Sequence, residues 1–245
     1  MDKRGQITIF IILAIVVIAA VGIYFAVSGN LDKVKSSSLD TRQIKGFVES
    51  CIGEIGKDAI YEVGQRGGYI FAPSLSTEEK IPYYLYEGKN YLPSQEKLEK
   101  SLSKYIEDFL FVCLNNFEDF PDYAISKGKI SCETDFTNNS VEFNVNYPLV
   151  ISKNNQTSKI ENFKTIEVSS FEQSFYSAQQ IIENIVKENG LCLTCISNIL
   201  EKTDFRIEIS PVSEGGNFIS IINDNEKIRG LPLKYTFAIK LEDEK

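Results

Sequence analysis

The chain has 245 residues, with 26 Lys plus Arg against 34 Asp plus Glu, five cysteines and no histidine. A formal net charge of −8 repels phosphate backbones and anionic headgroups, which argues against nucleic-acid partners. The lack of histidine removes Ser-His and Cys-His nucleophile schemes and any zinc site that uses an imidazole.

The first element is Ile7 to Val27, ITIFIILAIVVIAAVGIYFAV, which carries no charge. At about 1.5 Å per residue it spans roughly 32 Å, enough to cross a hydrocarbon core about 30 Å thick. We read residues 1–5 as a basic leader, 6–29 as a transmembrane helix and 30–38 as a polar spacer containing Ser36-Ser37-Ser38. A cleaved secretory signal would have a shorter apolar region followed by small residues. Here Ala19-Ala20 lies inside the run instead. A plain signal anchor fits the same residues.

A third reading rests on Lys3-Arg4-Gly5-Gln6-Ile7-Thr8. This start resembles archaeal type IV pilin-like precursors, in which a short basic leader ends in Gly and a membrane peptidase cuts ahead of the apolar helix. The resemblance implies cleavage between Gly5 and Gln6. One subclass begins its mature part with Gln, then Ser or Thr two residues on, then Glu. Gln6 and Thr8 follow that pattern, whereas Phe10 stands where the Glu that registers subunits in a filament is expected. The resemblance covers about 25 residues. Lys3 and Arg4 precede the span and Lys33, Lys35 and Arg42 follow it, so the positive-inside rule does not decide orientation.

Beyond the spacer, Ile44, Phe47, Val48, Cys51, Ile52, Ile55, Ala59, Ile60 and Val63 recur at three- and four-residue steps. They predict a helix with one apolar face, for core packing or for a partner helix, stopped by Gly67-Gly68. Two extended runs follow, Tyr69-Ile70-Phe71 and Pro82 to Tyr86. The second turns through Glu87-Gly88-Lys89-Asn90 into Tyr91-Leu92 as a hairpin. Its residues Tyr83, Tyr84, Tyr86 and Tyr91 form either a platform for a glycan or peptide, or one sheet face plus one edge. Ser94 then opens a helix with Leu98, Leu102, Tyr105, Phe109 and Cys113 on one side.

From Tyr123 to Ser169 the period changes to two: Ile130, Cys132, Thr134 and Phe136, then Val141, Phe143, Val145 and Tyr147. This predicts an antiparallel meander with one wet face. Ser170 and Gln173 form a capping-box pattern ahead of a helix through Phe175, Ala178, Ile182, Ile185 and Val186. Leu191 to Cys195 leads into a short helical piece at Ile196 to Leu200. Strands Phe205–Ile209, Asn217–Ile222 and Leu233–Leu241 close the chain, with Gly215-Gly216 as a turn. The class is α+β, amphipathic helices on antiparallel sheet, over residues 39–245 as one domain or as subdomains 39–120 and 121–245. Tyr147-Pro148-Leu149 and Leu231-Pro232-Leu233 offer a loose internal-repeat alternative.

Cys51 and Cys113 lie on the apolar faces of the two longest helices, and Cys192 and Cys195 lie three residues apart. The expected pairs are Cys51–Cys113 and Cys192–Cys195, with Cys132 a buried free thiol. Redox enzymes set a Cys-x-x-Cys pair after a strand and at a helix N-terminus. This pair follows a helix and Gly190, so a local structural disulfide is expected. Asn138-Asn139-Ser140 and Asn155-Gln156-Thr157 are glycosylation sequons in turns. No metal, cofactor or catalytic set is expected. The sequence thus reads as a single-pass, membrane-anchored cell-surface protein with an extracytoplasmic domain and a structural or adhesive role, pilin-like on the resemblance. Its expected partners are the membrane, further copies of itself or other surface proteins. An anchored module that binds peptide or glycan is the alternative, and a thiol–disulfide redox protein the third reading.

Overall fold

Helix α1 (Arg42–Gln65) packs against both sheets of the protein. In the computed structural model the described residues are 39–137, 139–213 and 215–242. The leader, span and spacer expected at 1–38 lie outside them, and among the described residues no helix is long and apolar enough to cross a membrane. Residues from Asp40 onward make one compact unit.

The apolar residues of α1 are buried as the period predicts, except half-buried Phe47, and three glycines are buried with them: Gly53, Gly56 and Gly64. A glycine inside a helix costs about 1 kcal/mol relative to alanine, so its placement needs a packing reason. A Cβ on Gly56 would stand 2.6 Å from the Phe143 ring, and one on Gly64 would stand 2.9 Å from the Lys234 carbonyl oxygen. The helix backbone lies directly on the sheets at these points. At its end Gly67 (φ +54°) and Gly68 (φ +79°) reverse the chain, and the Gly68 N–H donates to the Val63 carbonyl at 2.8 Å.

Helix α2 (Gln95–Leu114) starts at Ser94, whose Oγ accepts the Lys97 N–H. Its buried face is Leu98, Leu102, Ile106, Leu110 and Leu114, rather than the expected Leu98, Leu102, Tyr105, Phe109 and Cys113. Both rows continue Leu102 at helical steps, and contact with α1 and the sheet selects the aliphatic one. Phe109 is left 41 % exposed, and Cys113 sits on the margin facing α1.

Tyr69-Ile70-Phe71 forms no strand, because the turn at Gly67-Gly68 continues through it and leaves Phe71 exposed. The hairpin is present but tighter than expected. β1 (Tyr83–Tyr86) and β2 (Lys89–Asn90) are joined by Glu87 and Gly88, both at positive φ, so the return strand starts at Lys89 and not at Tyr91.

The first sheet holds β3 (Ala124–Lys127), β4 (Ser131–Thr137), β5 (Ser140–Lys153) and β6 (Gln156–Val168), all antiparallel. It is not a plain meander. β5, at 14 residues, is longer than β3 and β4 together, so β4 pairs with Ser140–Asn146 while β3 pairs with Leu149–Ser152. Val141, Phe143, Val145 and Tyr147 are buried, with Glu142, Asn144 and Asn146 between them more open to solvent.

The second sheet has the order β2-β1-β9-β8-β7, with β7 (Arg206–Pro211), β8 (Asn217–Ile228) and β9 (Leu231–Lys240). Pairing is antiparallel except that β1 lies parallel to β9. This joins the segment before residue 120 to the end of the chain in one sheet. β8 runs past the expected Ile222: the polar stretch Asp224-Asn225-Glu226 sits in a bulge between Asn223 and Lys227, and the strand resumes to Ile228. Arg229 (φ +53°) and Gly230 (φ +79°) then form a two-residue turn into β9.

Helix α3 (Phe171–Glu188) begins at Ser170, but the capping box does not form. The Glu226 carboxylate, presented by the β8 bulge, accepts both the Ser170 N–H and its hydroxyl at 2.7 Å, and Asn223 donates to Ser170 Oγ at 2.9 Å. A carboxylate from another element thus takes the helix start. Helix α4 (Leu193–Leu200) follows, seated by buried Ile196 and Ile199.

Candidate functional site

The structure separates the four tyrosines of the hairpin. Tyr83 and Tyr84 are buried, Tyr86 is half-buried and Tyr91 is exposed, which overturns a four-tyrosine ligand platform. Alternation along β1 cannot keep them together, because both faces of this strand are covered. Tyr84 stacks on Phe237 (centroids 4.6 Å apart), while Tyr83 packs with Val212 and Ala238 under the 72–82 loop.

The cysteines are the other candidates. Cys51 and Cys113, 62 residues apart in sequence, form a disulfide joining α1 to α2 with Cα atoms 5.5 Å apart. Cys51 is almost wholly buried and Cys113 half-buried, so the bond lies at the edge of the α1–α2 contact. Cys132 is the free cysteine, half-buried on β4. Burial pushes its thiol up to about 12, only partly opposed by hydrogen bonds from Thr134 and Ser103, so it is neutral and unreactive at ordinary pH. An open depression of about 510 Å³ beside it is lined by mixed groups including Lys45, Glu49, Asn144 and Lys164.

Cys192 and Cys195 form the second disulfide, Cα atoms 5.2 Å apart. Sequence placed the pair ahead of a short helix starting at Ile196. The helix instead starts at Leu193, so the pair spans its first turn and Cys192 is the N-cap. Cys192 Sγ accepts the Cys195 N–H at 3.2 Å and lies 3.4 Å from Thr194 Oγ1. Both cysteines are partly accessible, and Leu193 between them is 64 % exposed. Its signal in the sequence was the cysteine itself, since a residue with an acceptor side chain before an apolar run can cap a helix.

Asn155 occupies an exposed two-residue turn with Asn154, both at positive φ, between β5 and β6. Asn138, Gly5 and Gln6 lie outside the described residues. Among the described residues no group of three or more His, Cys, Asp or Glu could hold a metal ion. Two acids stand out: burial raises the Glu167 carboxyl beside Lys57, and it also raises the Asp58 carboxyl although Arg229 of the β8–β9 turn is bound to Asp58. Asp58 locks the turn onto α1, and it touches no cavity among those described.

No protein-family model, no curated protein and no solved structure matches this chain. The functional reading therefore rests on its own residues.

Proposed function

We propose that this protein is a membrane-anchored surface protein whose α+β domain lies outside the cytoplasm and has a structural or adhesive role. The observation that carries the reading is the Cys51–Cys113 bond between the two longest described helices. Such a bond persists in oxidising compartments, and a cytosolic chain would keep these thiols reduced. The uncharged Ile7–Val27 stretch supplies an anchor of spanning length. The exposed Asn155 sequon supports the same side of the membrane. The Lys3 to Thr8 resemblance adds leader removal at Gly5–Gln6, and self-association with other copies as the pilin-like form of the role.

Two measurements on native material test the proposal. N-terminal sequencing should find Gln6 as the first residue, and a start at Met1 or after Ala20 removes the pilin-like part. Protease added to intact cells should cut the domain. Protection until lysis would place the domain inside and overturn the reading.

A further inference from the structure

We propose that the Cys192–Cys195 disulfide is a redox-active centre that exchanges with protein dithiols. The two disulfides of the domain are built differently. Cys51–Cys113 closes a long loop between two helices, with Cys51 buried and Cys113 half-buried at the margin. Cys192–Cys195 closes a loop of sequence separation 3, which constrains the unfolded chain very little, and it lies in the first turn of α4 where solvent reaches it. The helix does not depend on the bond for its position: Ile196 and Ile199 hold it on the core, and the Ile196 N–H donates to the Cys192 carbonyl.

What the geometry provides is a place for a thiolate. Cys192 is the N-cap at the positive end of the helix, and the Cys195 N–H donates to its sulfur at 3.2 Å. The Thr194 hydroxyl, 3.4 Å away, offers a second donor. Exposed Leu193 gives a partner chain an apolar contact between the two sulfurs.

The exchange balances with a dithiol protein as co-reactant. One partner thiolate attacks Cys192 Sγ; the Cys192–Cys195 bond breaks and its electron pair leaves on Cys195 Sγ, which takes a proton from water. The partner's second thiolate then attacks its own sulfur in the mixed disulfide and displaces Cys192 as a thiolate held by the helix start. The partner ends as a disulfide, and the Cys192–Cys195 pair has gained two electrons. The reverse sequence reduces a partner disulfide to a dithiol and closes the Cys192–Cys195 bond again. This inference stands whether or not residues 7–27 cross a membrane.

The test uses the full chain, titrated with dithiothreitol at graded ratios of reduced to oxidised reagent, alkylated and mapped by mass spectrometry. Cys192–Cys195 should open and reclose reversibly with unchanged circular dichroism while Cys51–Cys113 stays closed. If Cys192–Cys195 resists until the chain is denatured, or if both pairs open together with unfolding, the proposal fails. A second readout uses Cys195→Ser. Its Cys192 should react with the aromatic disulfide DTNB at pH 6.5 about threefold or more faster than glutathione, because a larger thiolate fraction outweighs the lower nucleophilicity of a weaker base. A rate equal to or below that of glutathione overturns the thiolate site.

Discussion

Tyr235 donates its hydroxyl proton to Tyr84 across 2.5 Å inside the second sheet. The direction follows from Tyr84, whose own proton is committed to the Gly67 carbonyl at 2.8 Å. Both rings are fully buried, so neither hydroxyl has water as an alternative partner. The relay ties the turn after α1 to β1 and to β9, three pieces of chain far apart in sequence. It also fills the place where parallel pairing brings β1 against the end of the chain.

Removing the two hydroxyls should not cost the same. Tyr84→Phe leaves the Tyr235 proton and the Gly67 carbonyl both without this partner, so we expect a loss of about 2–3 kcal/mol in urea unfolding. Tyr235→Phe leaves Tyr84 still bound to Gly67 and should cost about 1 kcal/mol. The double variant should lose less than the two single losses added, since Phe at 84 removes the partner that Tyr235 needs. Equal single losses that add would contradict the relay.

The same groups set an alkaline limit. Burial raises the Tyr84 and Tyr235 phenols well above the ordinary value near 10, and the Cys132 thiol to about 12. Each is neutral when protonated, so above its unfolded-state pKa the unfolded chain sheds a proton that the fold retains. The contribution of these three groups is therefore level below about pH 9 and falls as pH rises beyond it, by up to about 1.4 kcal/mol per pH unit per group. Urea midpoints at pH 7, 9, 10 and 11 should show this fall, with tyrosinate absorbance appearing together with unfolding. Tyr235→Phe should make the fall shallower, and an unchanged midpoint at pH 11 would refute the account.

Where one element meets one clear period, the sequence was enough. The stripe from Ile44 to Val63 is buried as read apart from half-buried Phe47, because no competing row exists on that helix. On α2 two apolar rows share Leu98 and Leu102, and only the neighbour decides between them. The Ser170–Gln173 pattern failed for a similar reason: Glu226 sits 56 residues away in sequence and arrives only once β8 has bulged. The place of Cys192 was legible only in part, since the helix was expected three residues later than it starts. The tyrosines of β1 stood open between a ligand platform and a sheet face, because the parallel β9 that settles the matter is the last strand of the chain.

The helix glycines separate local preference from packing. Gly46 has open space where a Cβ would go, so Gly46→Ala should stabilise by about 0.5–1 kcal/mol through helix propensity. Gly64→Ala carries the same propensity gain but drives a methyl to 2.9 Å from a backbone oxygen, which cannot rotate away. We expect a net loss of about 1–3 kcal/mol there, in the range of overpacked cores. Thermal or urea unfolding of the two variants should move in opposite directions. A stabilising Gly64→Ala would mean that α1 does not lie against β9 as described.

The disulfides should differ in the same assay. In the chain-entropy account, closing a loop of about 62 residues is worth about 4 kcal/mol, and closing one of three or four about 2 kcal/mol. A domain of this size holds only about 5–15 kcal/mol in all, so the first bond is a large share of it. Cys51→Ala with Cys113→Ala also leaves small voids between α1 and α2, which adds to the loss. At roughly 2–4 °C per kcal/mol, that pair of substitutions should lower Tm by about 8–16 °C. Cys192→Ser with Cys195→Ser should lower it by about half as much or less, because α4 keeps its buried Ile196 and Ile199 and a serine at position 192 can still cap the helix. Calorimetry of the two double variants at matched pH decides the point. A larger loss from the second pair would make it the structural bond of this domain and leave the α1–α2 bond without its assigned part.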